Sequence, residues 1–237
     1  MKKIIISFGG KPVGTNRHLT MLGIHRDYST EVKRLFKSAE PFGFDGYWEY
    51  DNSWLKNSAY WQTHAEKVLE EPSFGWAFKP ICIYDALSMV DDGDVVVWVD
   101  SNDMLIAPVD KMINFATTYG IYCHDHSPSY YACENWTQKD MFVRMGCDEE
   151  KYWKAPQIQV NIMAFCKNEQ TMAIAEEWVK YAIDYETIIQ NILPNHDGFR
   201  EHRHEQSIFS LLVVKHNLFC TRGYPYGIAK EEDGINI

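Results

Sequence analysis

The run Val95 to Val99 constrains this chain more than any other feature: five residues, apolar on both alternating faces, that end abruptly in Asp100-Ser101-Asn102-Asp103. A short run of that kind predicts a strand covered on both sides, as in the parallel-type centre of an α/β sheet. Sheets of this type take ligands at the carboxyl ends of their strands, which is where the acidic segment falls. Oxygen donors gathered there suit a hard divalent cation, Mn²⁺ or Mg²⁺, bridging phosphate oxygens. The same residues also suit an ordinary Asp-rich turn, so this stretch alone leaves both readings open.

The chain has 237 residues, enough to bury a large core, and neither an internal repeat nor a linker interrupts it, so residues 1–237 read as a single domain. A net charge of −10 sets it against nucleic acid and anionic membranes as partners. A polyphosphate ligand would therefore need a metal or a few placed cations. The six cysteines form no CxxC pair and sit in apolar surroundings, which predicts reduced, buried thiols. The apolar start at Ile4-Ile5-Ile6 is cut off by Gly9-Gly10-Lys11-Pro12, too early for a signal peptide. No transmembrane segment is expected, and the protein reads as soluble, intracellular and cytoplasmic.

Periodicity places the remaining elements. Ile4 to Phe8 and Tyr47 to Tyr50 read as strands, with helical spacing from Thr30 to Ala39 between them. Ser7-Phe8-Gly9-Gly10 opens like a nucleotide-binding βα unit but lacks GxGxxG and a P-loop, so backbone contact with a nucleotide and a plain tight turn both remain open. Asp51 to Leu55 reads as a connection and Asn57 to Glu70 as a helix. A further helix, Ile81 to Val90, follows Lys79-Pro80, so the Lys79 ammonium sits at a helix entrance, where a phosphate would be attracted.

Gly75-Trp76-Ala77-Phe78-Lys79-Pro80, then a helix, then Gly93-Asp94 and Asp100-Ser101-Asn102-Asp103, resembles the W-x-x-K-P, G-D, D-x-D layout of small bacterial and viral glycosyltransferases of the GT-A fold. The resemblance implies a Rossmann-like α/β domain with a mostly parallel central sheet flanked by helices. It also implies that the aspartates hold Mn²⁺ or Mg²⁺ on the diphosphate of a nucleotide sugar, with a carbohydrate acceptor. Asn102 departs from the pattern, standing where the second aspartate belongs, with Asp103 directly after it. Asp100 is the firm ligand of this set, and either Asn102 or Asp103 completes it. Ser7, Phe8, Gly9, Lys79 and Ser101 then read as donor-binding residues, Lys79 at the diphosphate.

The second half supplies the sugar side of this reading. Ala107-Pro108 begins a helix through Thr117, Ile121 to Cys123 is a strand, and His124-Asp125-His126 reads as a polar loop first, a wall on the acceptor side second and a metal site third. Ser127 to Asn135 reads as a mobile loop over the site, and Thr137 with Asp140 as a helix-capping pair. Pro156 to Phe165 reads as a strand with Gln157, Gln159 and Asn161 on one face, carboxamides suited to sugar hydroxyls. The resemblance sets this strand beside the donor sugar. Asn168 to Ile189 carries one helical period and Leu193 to Arg203 is a polar loop. Glu205-Gln206, at the start of an apolar helix, matches an acid-Gln pair that contacts the donor sugar in many GT-A enzymes, with Glu for the commoner Asp. By the same resemblance a late histidine, His202, His204 or His216, adds a metal ligand, with His204 the one beside the catalytic pair Glu205 and Gln206. Thr221 to Gly227 reads as an irregular tail and Glu231 to Gly234 as frayed.

The same features admit a UDP-sugar-dependent transferase first, a nucleotidyltransferase making the sugar nucleotide second, and a non-catalytic carbohydrate-binding module third. The nucleotidyltransferase would carry a richer Gly and Arg/Lys loop than Gly9-Gly10-Lys11. The module would leave Asp100 to Asp103 without a phosphate to serve.

Overall fold

The computed structural model describes residues 1–10, 28–60, 76–125 and 131–222, together with the backbone of residues 228–230. Val95–Val99 is strand β3, and all five of its residues are buried. Its neighbours are β1 (Lys3–Phe8), parallel to it, and β6 (Ile158–Cys166), antiparallel to it. With β2 (Gly46–Tyr50), β5 (Ile121–Asp125) and β7 (Thr221–Arg222) the sheet order is β2-β1-β3-β6-β5-β7. Pairing is parallel in β1 with β2 and in β5 with β7, so β6 alone runs against the rest. The result is a mostly parallel, mixed α/β sheet. A second small sheet pairs β4 (Asp103–Leu105) with β8 (Ile228–Lys230).

Strict alternation along β1 and β3 feeds two cores. Ile4, Ile6, Phe8, Val96 and Trp98 face one side, and Ile5, Val95, Val97 and Val99 face the other. The second side is covered by α1 (Tyr28–Ala39), through Leu35 and Ala39, and by α4 (Asp110–Tyr119), through Met112, Ile113 and Ala116. The first side carries α3 (Phe78–Met89), α8 (Glu169–Ala182) and α10 (His204–Lys215). Burying both faces of β3 removes any polar face from it, which is why its sequence shows no alternation of polarity.

Several connections fold otherwise than their sequence suggests. Asp51 to Leu55 is not a connection: Asp51 caps α2 (Asn52–Asn57) by accepting from Trp54 N at 2.7 Å. The helix expected from Asn57 to Glu70 lies for the most part outside the described residues. His124 and Asp125 belong to β5 rather than to a loop, because β5 keeps pairing with β6 and gains Thr221 and Arg222 as partners. These two open the expected irregular tail and form β7, and the rest of that tail, residues 223–227, lies outside the described residues. His126, residues 127–130 of the loop expected over the site, and the frayed end at Glu231 to Gly234 lie outside the described residues. Cys133–Trp136 and Glu150–Trp153 form short helices, α5 and α7.

Thr137 and Asp140 do not cap α6 (Lys139–Arg144). The Thr137 hydroxyl accepts from Gln157 Nε2 at 2.9 Å, and Asp140 Oδ2 accepts from the backbone of Ile192 and Leu193. The long period from Asn168 to Ile189 breaks into α8, opened by an Asn168/Thr171 capping box, and α9 (Tyr185–Ile188). All six cysteines are free thiols, and five of them are buried. Among the described residues no helix is long and apolar enough to cross a membrane.

Helices α8 and α10 are clamped together near solvent by Glu177, which meets Lys215 Nζ at 2.7 Å and His216 Nε2 at 2.6 Å. Burial raises the Glu177 pKa, but its two partners outweigh that and hold it below the ordinary Glu value. A carboxylate depressed in this way stabilises the fold above its unfolded pKa and loses that contribution as pH falls through its folded pKa. Glu177→Gln should therefore cost about 1 kcal/mol near neutral pH. The gap between the two proteins should shrink as pH falls through the depressed Glu177 pKa, so it should be smaller at acid pH than near neutrality. Urea unfolding at both pH values measures this, and an equal gap at both would assign the cost to packing instead.

Candidate active site

The carboxyl ends of β1 and β3 meet the first turn of α3. Ser7 Oγ donates to Val99 O at 2.7 Å and so ties the two strand ends together. Phe8 stacks on Phe78 with ring centroids 4.2 Å apart. Gly9 N donates to Tyr50 O at 2.7 Å, and a Cβ at this position would stand 2.4 Å from Glu49 Oε1. The three residues expected at the nucleotide are therefore occupied in holding the strand ends and the helix in place.

Lys79, in the first turn of α3, does not reach outward as a diphosphate ligand would. It is 4% exposed, and its ammonium points under the end of β3. There it meets Asp100 Oδ1 at 3.0 Å, Glu205 Oε1 at 3.4 Å and Val160 O at 3.1 Å. An ammonium has three N–H groups to donate, and these acceptors use all of them. Burial disfavours its charge, but the two carboxylates outweigh that and raise its pKa. Asp100 is the outer member, its side chain 30% exposed, and its Oδ1 also accepts from Trp98 Nε1 at 2.8 Å. Glu205 is the inner member, 4% exposed, and burial pushes its pKa up to about 7 against the pull of Lys79. Lys79, Asp100 and Glu205 come from three segments far apart in sequence.

The acceptor Val160 O exists because β6 is irregular. Two steps along β5, from Tyr122 to His124, span five along β6, from Ala164 to Gln159. Ile158 and Val160 face the core under α3, whereas Ile162, Ala164 and Cys166 face the other, so the alternation slips between them. Such bulges re-aim side chains near functional sites. Gln159 and Asn161 are half-buried there, and Asn161 Nδ2 donates to Asp103 Oδ2 at 2.7 Å. Gln157 does not share their face. It lies before β6, fully buried, bonded to Thr137 and taking Gln206 Nε2 at 3.3 Å, because the strand has not yet begun.

The acidic turn separates its members. Asp103 N donates to Asp100 O at 2.9 Å, closing the turn, and Asp103 itself is fully buried in β4. Ser101 is buried and Asn102 half-buried. Of the late histidines, His202 accepts from Gln138 N at Nδ1 and turns Nε2 to Ile188 O, and His216 is bonded to Glu177. Both therefore serve the scaffold. His204 shows no ring hydrogen bond among the described residues, and burial with the nearby Arg203 lowers its pKa to about 4, so the ring is neutral. Among the described residues no three His, Cys, Asp or Glu side chains gather as a metal-binding group.

Sequence reasoning passed over Trp98 and Trp178 as core. Trp178 Nε1 donates to Glu205 O at 2.9 Å and fixes the first turn of α10. The i, i+2 spacing of Trp98 and Asp100 was the available signal for the first, since such residues share a strand face. Strain marks the same place: Trp76 and His204, the residues just ahead of α3 and opening α10, have φ of 59° and 43°. Backbone of this kind in non-glycine residues clusters at functional sites. A cleft of about 550 Å³ lined by Tyr60, Tyr84 and Tyr185 shares no residue with this cluster.

Removing the ammonium would leave two carboxylates facing each other in a poorly hydrated space. Lys79→Met should therefore destabilise the protein by about 3–5 kcal/mol. Adding Glu205→Gln should recover part of that loss at alkaline pH, where it removes a buried carboxyl that would otherwise ionise, and little at acid pH, where Glu205 without Lys79 is already protonated. Urea unfolding of the single and double variants tests this; a loss no larger than that of a surface lysine would contradict it. No family model matches the chain, and no curated protein matches it.

Proposed function

We propose that this protein is a glycosyltransferase of the GT-A type that moves a sugar from a nucleotide sugar, a UDP sugar first, to a hydroxyl acceptor such as a glycan. The observation that carries the reading is the convergence of Asp100, Lys79 and Glu205 at the carboxyl end of parallel strands, where ligands of open α/β sheets bind. Of the three, Asp100 faces solvent, which suits it to a ligand rather than to a purely structural ion pair.

Asp100 is the residue that would hold Mn²⁺ or Mg²⁺, with neutral His204 as a second candidate. The donor set fits such a cation, because Mg²⁺ sites commonly use one or two carboxylates and complete their shell with water and substrate phosphates. When bound, the cation would neutralise charge on the departing diphosphate. Asp103, bonded to Asn161, keeps the turn closed and Asn161 in place. Gln159, Asn161 and Gln206 offer half-buried carboxamides, which both donate to and accept from sugar hydroxyls. Glu205 acts as a positioning residue through Lys79. A sugar-binding module would have no phosphate for a cation on the exposed Asp100 to serve, which favours transfer over simple binding.

Asp100→Ala should abolish Mn²⁺-dependent binding of UDP while leaving weak metal-free binding. Titration calorimetry of UDP with and without Mn²⁺ decides it. Unchanged metal-linked affinity in the variant would remove Asp100 from the site. Stabilisation by free sugars alone, with no response to UDP, would favour the binding module.

A further inference from the structure

The Asp100 carboxylate is held asymmetrically. Oδ1 accepts from the Trp98 indole at 2.8 Å and is met by the Lys79 ammonium at 3.0 Å. Among the described residues Oδ2 has no hydrogen bond or ion pair, and the side chain is 30% exposed. Neither partner of Oδ1 is free to move. Trp98 is 1% exposed in the core of the sheet, and Lys79 is also engaged by Val160 O and Glu205.

We propose that Trp98 is a positioning residue which, with Lys79, presents Asp100 to a divalent cation through Oδ2 alone, so that the site takes Mg²⁺ or Mn²⁺ and discriminates against Ca²⁺. The inference rests on the reading of Asp100 as a cation ligand given above. Ca²⁺ takes roughly six to eight oxygens and readily chelates a carboxylate by both of its oxygens, whereas Mg²⁺ accepts a single carboxylate oxygen within an octahedron of water and phosphate. Chelation through Oδ1 would set a dication against the buried Lys79 ammonium, and the like charges repel at short range in a weakly screened interior. It would also compete with the Trp98 N–H for the same lone pairs. A cation on Oδ2 alone stands farther from the ammonium, which lessens the first penalty, and leaves the Trp98 bond intact, which avoids the second. The Trp98 N–H thus sets the torsion of the carboxylate, and Lys79 makes the second oxygen unavailable.

The test is titration calorimetry of UDP with the full chain in Mn²⁺ and in Ca²⁺, comparing the unaltered protein with Trp98→Phe. Phenylalanine keeps an aromatic ring in the core and removes the N–H. The unaltered protein should favour Mn²⁺ over Ca²⁺ on the order of tenfold or more, and Trp98→Phe should reduce that preference by about threefold, a part of it remaining because Lys79 still occupies Oδ1. A melting curve accompanies each protein. Should the phenylalanine variant not fold, a benzothienylalanine at position 98, with sulfur in place of N–H and nearly the same shape, carries the same comparison. Unchanged discrimination in a folded variant, or no discrimination in the unaltered protein, overturns the inference while the cation reading stands. Metal-independent UDP binding in the unaltered protein would instead overturn the cation reading, and this inference with it.

Discussion

A lysine ammonium almost cut off from water stays charged only when fixed acceptors replace its hydration, and much of this structure is arranged around that requirement. Lys79 has two carboxylates and one backbone carbonyl, supplied by β3, α10 and β6. Each of those elements is thereby held at one point. The helix that carries Lys79 is anchored beside it by Phe78, stacked on Phe8 from the end of β1. Losing one partner of such a cluster costs more than the cluster contributes over a well-packed apolar equivalent. Its presence is therefore better explained by what it organises than by stability.

What it organises is the end of β3. The carbonyl of Val160 is available because β6 slips its alternation, and the same slip sets Asn161 where it reaches Asp103. The loop before α10 is fastened by Asp140 to Ile192 and Leu193 and by His202 to Gln138 and Ile188. Trp178 then fixes the carbonyl of Glu205. The positive φ at Trp76 and His204 falls at the two points where helices enter it, and backbone of this kind persists only where the surrounding structure holds it.

Burial sorts residues that sequence alone lists together. Asp100 and Asp103 stand three positions apart, yet one is half-open to solvent and the other is sealed in β4. Gln157 and Gln159 stand two apart, yet Gln157 is consumed by Thr137 and the start of α10. Lys79 reads as a surface cation at a helix start because nothing local shows that β3 and α10 close over it. Thr137 and Asp140 have capping spacing, but stronger partners arrive from Gln157 and from the backbone at Ile192 and Leu193.

The sequence by itself determined the doubly covered strand at Val95 to Val99, the strand and helix starts around it, and the reduced cysteines. These were legible because local periodicity and charge placement act within a few residues. Tertiary structure alone decided that β6 runs antiparallel and slips, that His124 is buried in a strand, and that the Lys79 ammonium turns inward. Each of these depends on partners roughly eighty or more residues away in the cases of Lys79 with Val160 and of β5 with β7. Pairing and desolvation are properties of the assembled neighbourhood, and no window of sequence contains both sides of them.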